Sequence, residues 1–427
     1  MKYIKKTLSN GMTIILAPMK QTQIICMGFF IKAGSRNETS EDSGIAHFLE
    51  HMMFKGTKTR SAEKLFYELD TAGALYNAGT TTQNTNYYIY GNCDDTKKLL
   101  DIVLDIYINP YFPEKEINKE KKVIIEEMRM RTDMPMMKLY IAMHKKIFHG
   151  TSLSREVIGT KESVMGLKKR DLVIFRETFY KPDNTVFVIT GNFNPELIYK
   201  SLSKVLDNLT NPSLEIKNYE NEKDIIIKQM MNQDQPYVYI KKNLLYQQVY
   251  IMLVFPIYDF YKYRSKEVDL LSELLSSGFS SRLTRALREQ NGITYNSTSY
   301  PISYSDVGLF IIQMVINPIE FIKGIKIVFR ELKKLKEETI SDEEMQKIIK
   351  TLKNDNIFSR ISPIDMLNYY GFNFLENRNF KPHEHENIDD IKKTDLRALA
   401  EEIFVRDKIN LFIYGNIEET NFDFIDL

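Results

Sequence analysis

The segment GIAHFLEHMMF, residues 44–54, decides more about this chain of 427 residues than any other stretch. It contains no proline, and either Asp42 or Ser43 can serve as the N-cap, so we expect a helix here. The apolar residues of the segment recur at helical spacing and predict one buried face. The remaining face then carries the chemically active side chains.

His47, Glu50 and His51 share that second face, because they lie at positions i, i+3 and i+4. Two neutral imidazoles one helical turn apart can bind one zinc ion at about 2.0–2.1 Å, and a catalytic site adds a third protein ligand. The order H-x-x-E-H marks the inverzincins, in which the glutamate accepts a proton from the water that the metal activates. The alternative is a pair of ordinary histidines on a half-buried helix.

A second helix is predicted from Pro113 to about Arg131, since proline at its first position and acidic residues in its first turn favour that start. Glu120 and Glu127 are seven residues apart and face the same way. Glu126 is the competing choice for a third metal ligand, but it is displaced from this face. For Glu120, the alternative is a solvated helix glutamate.

Two segments, GIAHFLEHMMFKGT at 44–57 and VIIEEM at 123–128, resemble the pitrilysin/insulysin family of zinc metallopeptidases. The resemblance implies that Glu127 is the third ligand of one zinc ion per chain. It also implies a catalytic role for Glu120, which would orient a ligand histidine. The expected activity is that of a zinc-dependent endopeptidase with Glu50 as the general base.

The segment SRLTRALREQNGITY, residues 281–295, predicts a helix that stops at Asn291-Gly292 and is followed by a strand. In the family, an arginine and a tyrosine at this spacing reach the scissile peptide from the half that lacks zinc. The resemblance therefore assigns Arg288 to a substrate carbonyl and Tyr295 to the oxyanion of the tetrahedral state. The alternative is a surface arginine and a core tyrosine.

The segment GALYNAGT, residues 73–80, resembles the family's edge strand beside the zinc. An exposed edge can add an extended peptide as a further strand through main-chain hydrogen bonds. Asn77 and Ala78 are accordingly predicted to bind substrate, although an ordinary strand ending in a turn fits Asn77 equally well. This binding mode implies unfolded peptides or extended segments as substrates.

The chain repeats itself, since VFVITGN at 186–192 and NLFIYGN at 410–416 close two similar halves. We expect a zinc-binding catalytic domain over 1–210, a linker over 211–235, and a homologous domain without metal over 236–427. The mixture of strands and amphipathic helices in each half predicts two α+β domains, each an α/β sandwich.

The composition excludes several other classes of protein. Lys and Arg number 58 against 57 Asp and Glu, which gives no basic footprint for nucleic acid. Two cysteines cannot form a disulfide framework and suit a reducing compartment. There is no apolar run of about 18 residues, so no membrane span is expected. The first residues resemble neither a signal peptide nor a transit peptide, which predicts a cytoplasmic location.

Family members of this length resemble half of the long pitrilysin chains. The resemblance implies a homodimer, or a heterodimer with a related chain, in which the second domain of one subunit completes the zinc site of the other. Two further functions stay open: a processing-peptidase subunit of a heterodimer, and a non-catalytic scaffold of the same fold. The complete ligand set disfavours the scaffold.

Overall fold

The computed structural model describes residues 3–211, 220–257, 260–382, 388–417 and 422. The segment around His383 and His385 is rich in charged residues, which favours a polar loop, and both histidines lie outside these ranges. Among the described residues, every helix is too short or too polar to span a bilayer.

The chain forms two compact units of mixed helix and strand, which confirms the predicted fold class. Each unit is assembled from three stretches of chain. The first consists of Met1–Arg129, Arg155–Asn218 and Ile357–Lys381, and the second of Met130–Ser154, Tyr219–Asn356 and Pro382–Leu427.

The first unit is built on a six-stranded sheet. Its strands are β1 Ile4–Thr7, β2 Thr13–Pro18, β3 Ile24–Ile31, β4 Leu75–Thr80, β5 Thr85–Asn92 and β6 Thr185–Gly191. They lie in the order β1-β2-β6-β3-β5-β4. Strands β2 and β6 are parallel, and every other neighbouring pair is antiparallel. Strand β4 therefore forms one edge.

Helices cover both faces of this sheet, and this explains why β3 is a continuous apolar run rather than an alternating one. The helices of the unit are α1 Ile45–Met53, α2 Ala62–Thr71, α3 Thr96–Ile108, α4 Glu114–Asp133, α6 Lys161–Gly166, α7 Lys169–Phe179, α8 Pro195–Leu206 and α14 Pro363–Glu376. One face of the sheet packs against a core that includes α1, α3 and α7, and the other packs against α14.

Helix α14 lies directly against β3 because its glycine leaves room for an aromatic ring. A Cβ atom at Gly371 would lie 2.3 Å from Cζ of Phe30, which is fully buried. The residues of α14 that complete this second core are Met366, Leu367, Tyr370, Phe374 and Leu375.

The second unit repeats the arrangement of the first with five strands. They are β7 Tyr237–Lys242, β8 Val249–Ile257, β9 Thr294–Ser303, β10 Gly308–Ile316 and β11 Asn410–Gly415, in the order β7-β11-β8-β10-β9. Strands β7 and β11 are parallel, like β2 and β6. The similar motifs at 186–192 and 410–416 thus form most of β6 and β11, at the same place in each sheet.

The helices of the second unit also pack on both faces of its sheet. They are α5 Pro135–Ile147, α9 Glu220–Met231, α10 Phe260–Ser276, α11 Arg282–Thr284, α12 Phe321–Glu337, α13 Asp342–Phe358 and α15 Lys393–Ile403. One face is covered by a core to which α10, α12 and α15 contribute, and the other by a core to which α5 contributes.

Two helices pack on the sheet of the other half of the sequence. Helix α5 precedes the predicted linker yet packs on β8 and β11, whereas α14 follows it and packs on β3 and β6. The predicted linker, residues 211–235, contains helix α9. The predicted boundary between the two halves, at residues 211–235, stays a prediction.

Candidate metal centre

Helix α1 begins at Ile45, directly after Gly44 in the left-handed conformation with φ 91°. The prediction of a cap from Asp42 or Ser43 was wrong, because no side chain of the turn itself caps this helix. Instead, the buried carboxylate of Glu38 accepts hydrogen bonds from the amides of Gly44, at 2.8 Å, and Ala46, at 3.0 Å. The start of the helix is therefore held by a residue outside it.

The predicted zinc ligands on α1 and α4 converge on one point. Glu127 Oε2 lies 3.7 Å from His47 Nε2 and 3.6 Å from His51 Nε2. Nitrogen and oxygen atoms around a tetrahedral zinc at 2.0–2.1 Å are about 3.4 Å apart, so these separations fit that ion. Within the described ranges, no second group of three such donors lies as close together.

Glu126, the competing ligand, points away from the imidazoles. Its side chain is 67% exposed and pairs with Arg129 on the same helix, at 2.5 Å. Glu127, one residue later, is 25% exposed and lies beside both histidines. The helical twist of about 100° per residue separates the two neighbouring glutamates in this way.

Glu120 is not one of the three candidate ligands, but its carboxylate contacts both His51, which is one of them, and Lys55. Its Oε2 atom is 3.1 Å from His51 Nδ1, and its Oε1 atom is 2.6 Å from Lys55 Nζ. Burial raises the pKa of Glu120, but the hydrogen bonds from His51 and Lys55 outweigh it and leave that pKa below its ordinary value. An ionised Glu120 is the expected partner for a metal-binding imidazole, whose second nitrogen donates to a carboxylate.

Glu50 is turned toward strand β4 and accepts a hydrogen bond from Thr80 Oγ1 at 3.0 Å. Burial raises the pKa of Glu50, while His51 and the Thr80 hydroxyl oppose that rise. A carboxylate whose pKa is raised toward neutrality is suited to accept and return a proton.

Strand β4 carries the predicted substrate-binding pair. In the part of the chain that the structure describes, β4 pairs only with β5, so its outer edge is open. The side-chain oxygen of Asn77 accepts a hydrogen bond from the amide of Ala78, at 2.9 Å. The side-chain oxygen of Asn77 is thus hydrogen-bonded to the main chain of β4 itself.

Arg288 and Tyr295 lie in the second unit and are close to each other. The guanidinium carbon of Arg288 lies 4.8 Å from the ring centre of Tyr295 and 4.8 Å from that of Phe279. Both rings are largely exposed, at 84% for Tyr295 and 68% for Phe279. The predicted helix is present, but its last five residues, Arg285–Glu289, form a π-helix, a distortion that is frequent at functional sites.

Comparison with known proteins identifies the family of this chain. The sequence profile of the insulinase family, peptidase family M16, matches residues 13–161, and that of the M16 inactive domain matches residues 166–352. An uncharacterized zinc protease of Rickettsia bellii is 32% identical over 306 residues, which cover 71% of each chain. The chain belongs to peptidase family M16. This confirms the family that the motifs indicate.

Further relatives match either nearly the whole chain or about half of it. An uncharacterized zinc protease of Rickettsia felis is 29% identical over 407 residues, 93% of this chain and 94% of the relative. The beta subunit of the mitochondrial-processing peptidase of Lentinula edodes is 34% identical over 203 residues, 48% of this chain and 44% of the relative. A protease from Helicobacter pylori of known structure has a TM-score of 0.86 at 25% identity, covering 97% of this chain and 99% of that one.

The M16 motifs do not indicate three further residues at this centre: Glu38, Lys55 and Thr80. Lys55 and Thr80 lie within segments used for the family resemblance, and Glu38 lies six residues before one, but the role of each depends on a partner on another element. A buried acidic residue six positions before a glycine is a weak signal for a helix cap, and nothing in the sequence pairs Lys55 with Glu120.

The metal-free protein is expected to lose stability as the pH rises from about 6.5 to 9. Burial lowers the pKa of His51, but its hydrogen bonds with Glu120 and Glu127 raise it to about 9, above the ordinary 6.5. Because the pKa is higher in the folded state than in the unfolded state, protonation of this imidazole stabilises the fold. The stabilisation is complete below pH 6.5, decreases as the pH rises, and is lost above about pH 9. The contribution is at most about 3 kcal/mol.

Thermal unfolding of chelator-treated protein across this pH range measures the effect. Glu120→Gln removes the negative charge of one of the two carboxylates that stabilise the protonated imidazole, so the decline should be shallower in that variant. An equally steep decline in both proteins would show that another group titrates.

Proposed function

We propose that this chain is a zinc-dependent endopeptidase that hydrolyses unfolded peptides or extended segments. The observation that carries the proposal is the convergence of His47, His51 and Glu127 beside the carboxylate of Glu50. A zinc ion held by these three residues supplies Lewis acidity, which polarises the scissile carbonyl and acidifies water. The relatives named as zinc proteases support the same assignment.

In this proposal Glu50 is the general base. It accepts a proton from the attacking water and returns it to the leaving amine. Glu120 keeps the ring of His51 in one orientation through the hydrogen bond to Nδ1. Lys55 holds the second oxygen of Glu120, which leaves that carboxylate in one position.

The open edge of β4 is the proposed binding site for the substrate. A peptide that adds there as a further strand is held by main-chain hydrogen bonds, which accept many sequences. Asn77 and Ala78 would supply such bonds. Most strands of a folded domain are already paired within its own sheets, which is why unfolded peptides or extended segments are the proposed substrates.

Measurement of zinc content and of peptide cleavage tests the proposal directly. The purified protein should contain about one zinc per chain and cleave members of an unstructured peptide library. Removal of the metal with a chelator should stop the cleavage, and added zinc should restore it. A folded protein that contains no zinc and cleaves no peptide would refute the assignment.

Arg288 and Tyr295 are proposed to stabilise the transition state from the second unit of a partner subunit in a homodimer. An oxyanion donor typically contributes a factor of about 10²–10³ to kcat, so Tyr295→Phe should lower kcat by about that factor. Mixing this variant with Glu50→Gln tests whether the residues act in trans. Each mixed dimer then contains one intact site, which has Glu50 from one chain and Tyr295 from the other.

If half of the dimers are mixed, one site in four recovers activity, so the mixture should reach about a quarter of the wild-type rate. Each variant incubated alone is the control. A mixture no more active than the better of the two variants, under conditions in which subunits exchange, would mean that the residues act within one chain or not at all.

A processing-peptidase subunit is the second candidate function. The beta subunits of the mitochondrial-processing peptidase are more than 30% identical to about half of this chain, and their name places them in an enzyme of several subunits. In that case the partner would be a related chain rather than a second copy. Activity that appears only after addition of such a chain would favour this function over the homodimer.

A further inference from the structure

The contact between Thr80 and Glu50 joins two elements that the proposed reaction uses. Thr80 is the last residue of β4, the proposed substrate strand, and Glu50 is the proposed base on α1. The hydroxyl of Thr80 donates a hydrogen bond to Glu50 Oε2 at 3.0 Å. Both side chains are partly buried, so this bond forms where the dielectric constant is lower than in water.

The end of β4 is fixed by bonds of its own. Thr80 pairs with Thr85 in the register of β4 and β5, and the amide of Thr81 donates to the carbonyl of Asn84 at 2.8 Å. The amides of Ser35 and Arg36 donate to the carbonyls of residues 81 and 82, at 3.2 and 2.8 Å. The hairpin that presents Thr80 is therefore tied to the segment 34–38.

The same segment, residues 34–38, also holds helix α1. It ends at Glu38, whose carboxylate accepts hydrogen bonds from the amides of Gly44 and Ala46 at the start of that helix. It begins at Gly34, where a Cβ atom would lie 2.3 Å from the carbonyl oxygen of Thr81, so only glycine allows this approach. One short segment thus fixes both the strand that carries Thr80 and the helix that carries Glu50.

We propose that Thr80 is a positioning residue that holds the carboxylate of Glu50 in the orientation required for proton transfer. A threonine hydroxyl has one proton to donate, and here it goes to Oε2. With Oε2 held, Oε1 is the oxygen directed to the attacking water. This role rests on the proposed function, because it assumes that Glu50 is the base.

The test compares variants at this position in the zinc-loaded protein. Thr80→Val keeps the size and β-branching of the side chain but removes the hydroxyl, and Thr80→Ser keeps the hydroxyl. We expect Thr80→Val to lower kcat by about 10- to 100-fold, a part of the 10²–10⁴ that general acid–base catalysis supplies. KM and zinc affinity should change less than about twofold, since the main chain of β4 and the three ligands are untouched.

Thr80→Ser should restore most of the lost kcat, and Thr82→Val, the same change two residues along the hairpin, should behave like wild type. In a Glu50→Gln background, Thr80→Val should have no further effect, because Thr80 acts through Glu50. The proposal would be overturned by an unchanged kcat in Thr80→Val or by a Thr80→Ser variant with as low a kcat as Thr80→Val. It would also be overturned if Thr80→Val lowered kcat by the same factor in the Glu50→Gln background as in the wild type.

Crystal structures of the wild type and of Thr80→Val separate this proposal from the proposed function. The Glu50 carboxylate should occupy one position in the wild type and a rotated or divided position in the variant. An unmoved carboxylate would refute the role of Thr80 even if the enzyme proved active. A protein that cleaves no peptide refutes the proposed function, and the position of the carboxylate still decides whether Thr80 orients it.

Discussion

Glu50→Gln is expected to lower kcat for peptide hydrolysis by about 10²–10⁴ while zinc stays bound. The amide has nearly the shape of the carboxylate and can still accept a hydrogen bond from Thr80. It cannot accept a proton from water at neutral pH. The three donor atoms of His47, His51 and Glu127 are unaltered, so the metal content should remain at the wild-type level.

Kinetics on a peptide substrate and elemental analysis of the same sample measure both parts of this prediction. A matched control is Glu126→Gln, which makes the same chemical change on an exposed side chain of α4. Turnover within a few-fold of the wild type in Glu50→Gln would remove Glu50 from the mechanism. Loss of zinc in that variant would instead mean that Glu50 helps to hold the metal.

Glu127→Gln is expected to weaken zinc binding by more than about 100-fold and to abolish cleavage with it. Outer-sphere partners of a metal site already contribute about 10- to 100-fold to affinity, and a direct ligand contributes more. The carboxylate of Glu127 lies 3.6 and 3.7 Å from the two imidazole nitrogens, so its charge is the anionic part of the donor group. An amide at this position carries no charge to replace it.

Competition with a chelator of known affinity measures the zinc constant in each variant. Glu126→Gln is again the control, since its side chain faces solvent and pairs with Arg129. Comparison of Glu126→Gln with Glu127→Gln therefore shows which of the two neighbouring glutamates binds zinc. Equal zinc affinity in Glu127→Gln and the wild type, or a loss confined to Glu126→Gln, would show that the third ligand is misassigned.

Local patterns were sufficient for the elements that carry the centre. The helix over 44–54 was predicted from its apolar spacing, and the structure has it over Ile45–Met53. The second helix was predicted to begin at Pro113 and end near Arg131, and the structure has Glu114–Asp133. Both signals are local, since helical periodicity and a proline at the first position depend only on near neighbours.

The cap of α1 could not be predicted in this way. Short polar residues directly before a helix usually cap it, so Asp42 and Ser43 were the local candidates. The structure uses Glu38, which reaches the amides of Gly44 and Ala46 from six and eight residues away. Gly44 adopts the left-handed conformation directly before the helix. Glycine allows many backbone conformations, so the sequence alone does not reveal which earlier residue the turn brings to the start of the helix.

The arrangement of helices on the sheets also depends on long-range packing. Helices α5 and α14 are amphipathic segments whose sequences reveal a buried face but not the sheet that covers it. Gly371 illustrates this, because its role is evident only once Phe30 is known to lie against it. The repeat of strands, by contrast, was visible in two short motifs that end each half.

The amino-acid sequence alone determined the H-x-x-E-H pattern on α1, the duplicated fold class and the family, since each rests on short motifs whose residues are neighbours in the chain. Only the tertiary structure decided which side chains meet across elements: Glu127 with both imidazoles, Lys55 with Glu120, and Thr80 with Glu50. The physical reason is that spacing along a helix fixes the direction of a side chain, whereas its partner is fixed by how distant segments pack.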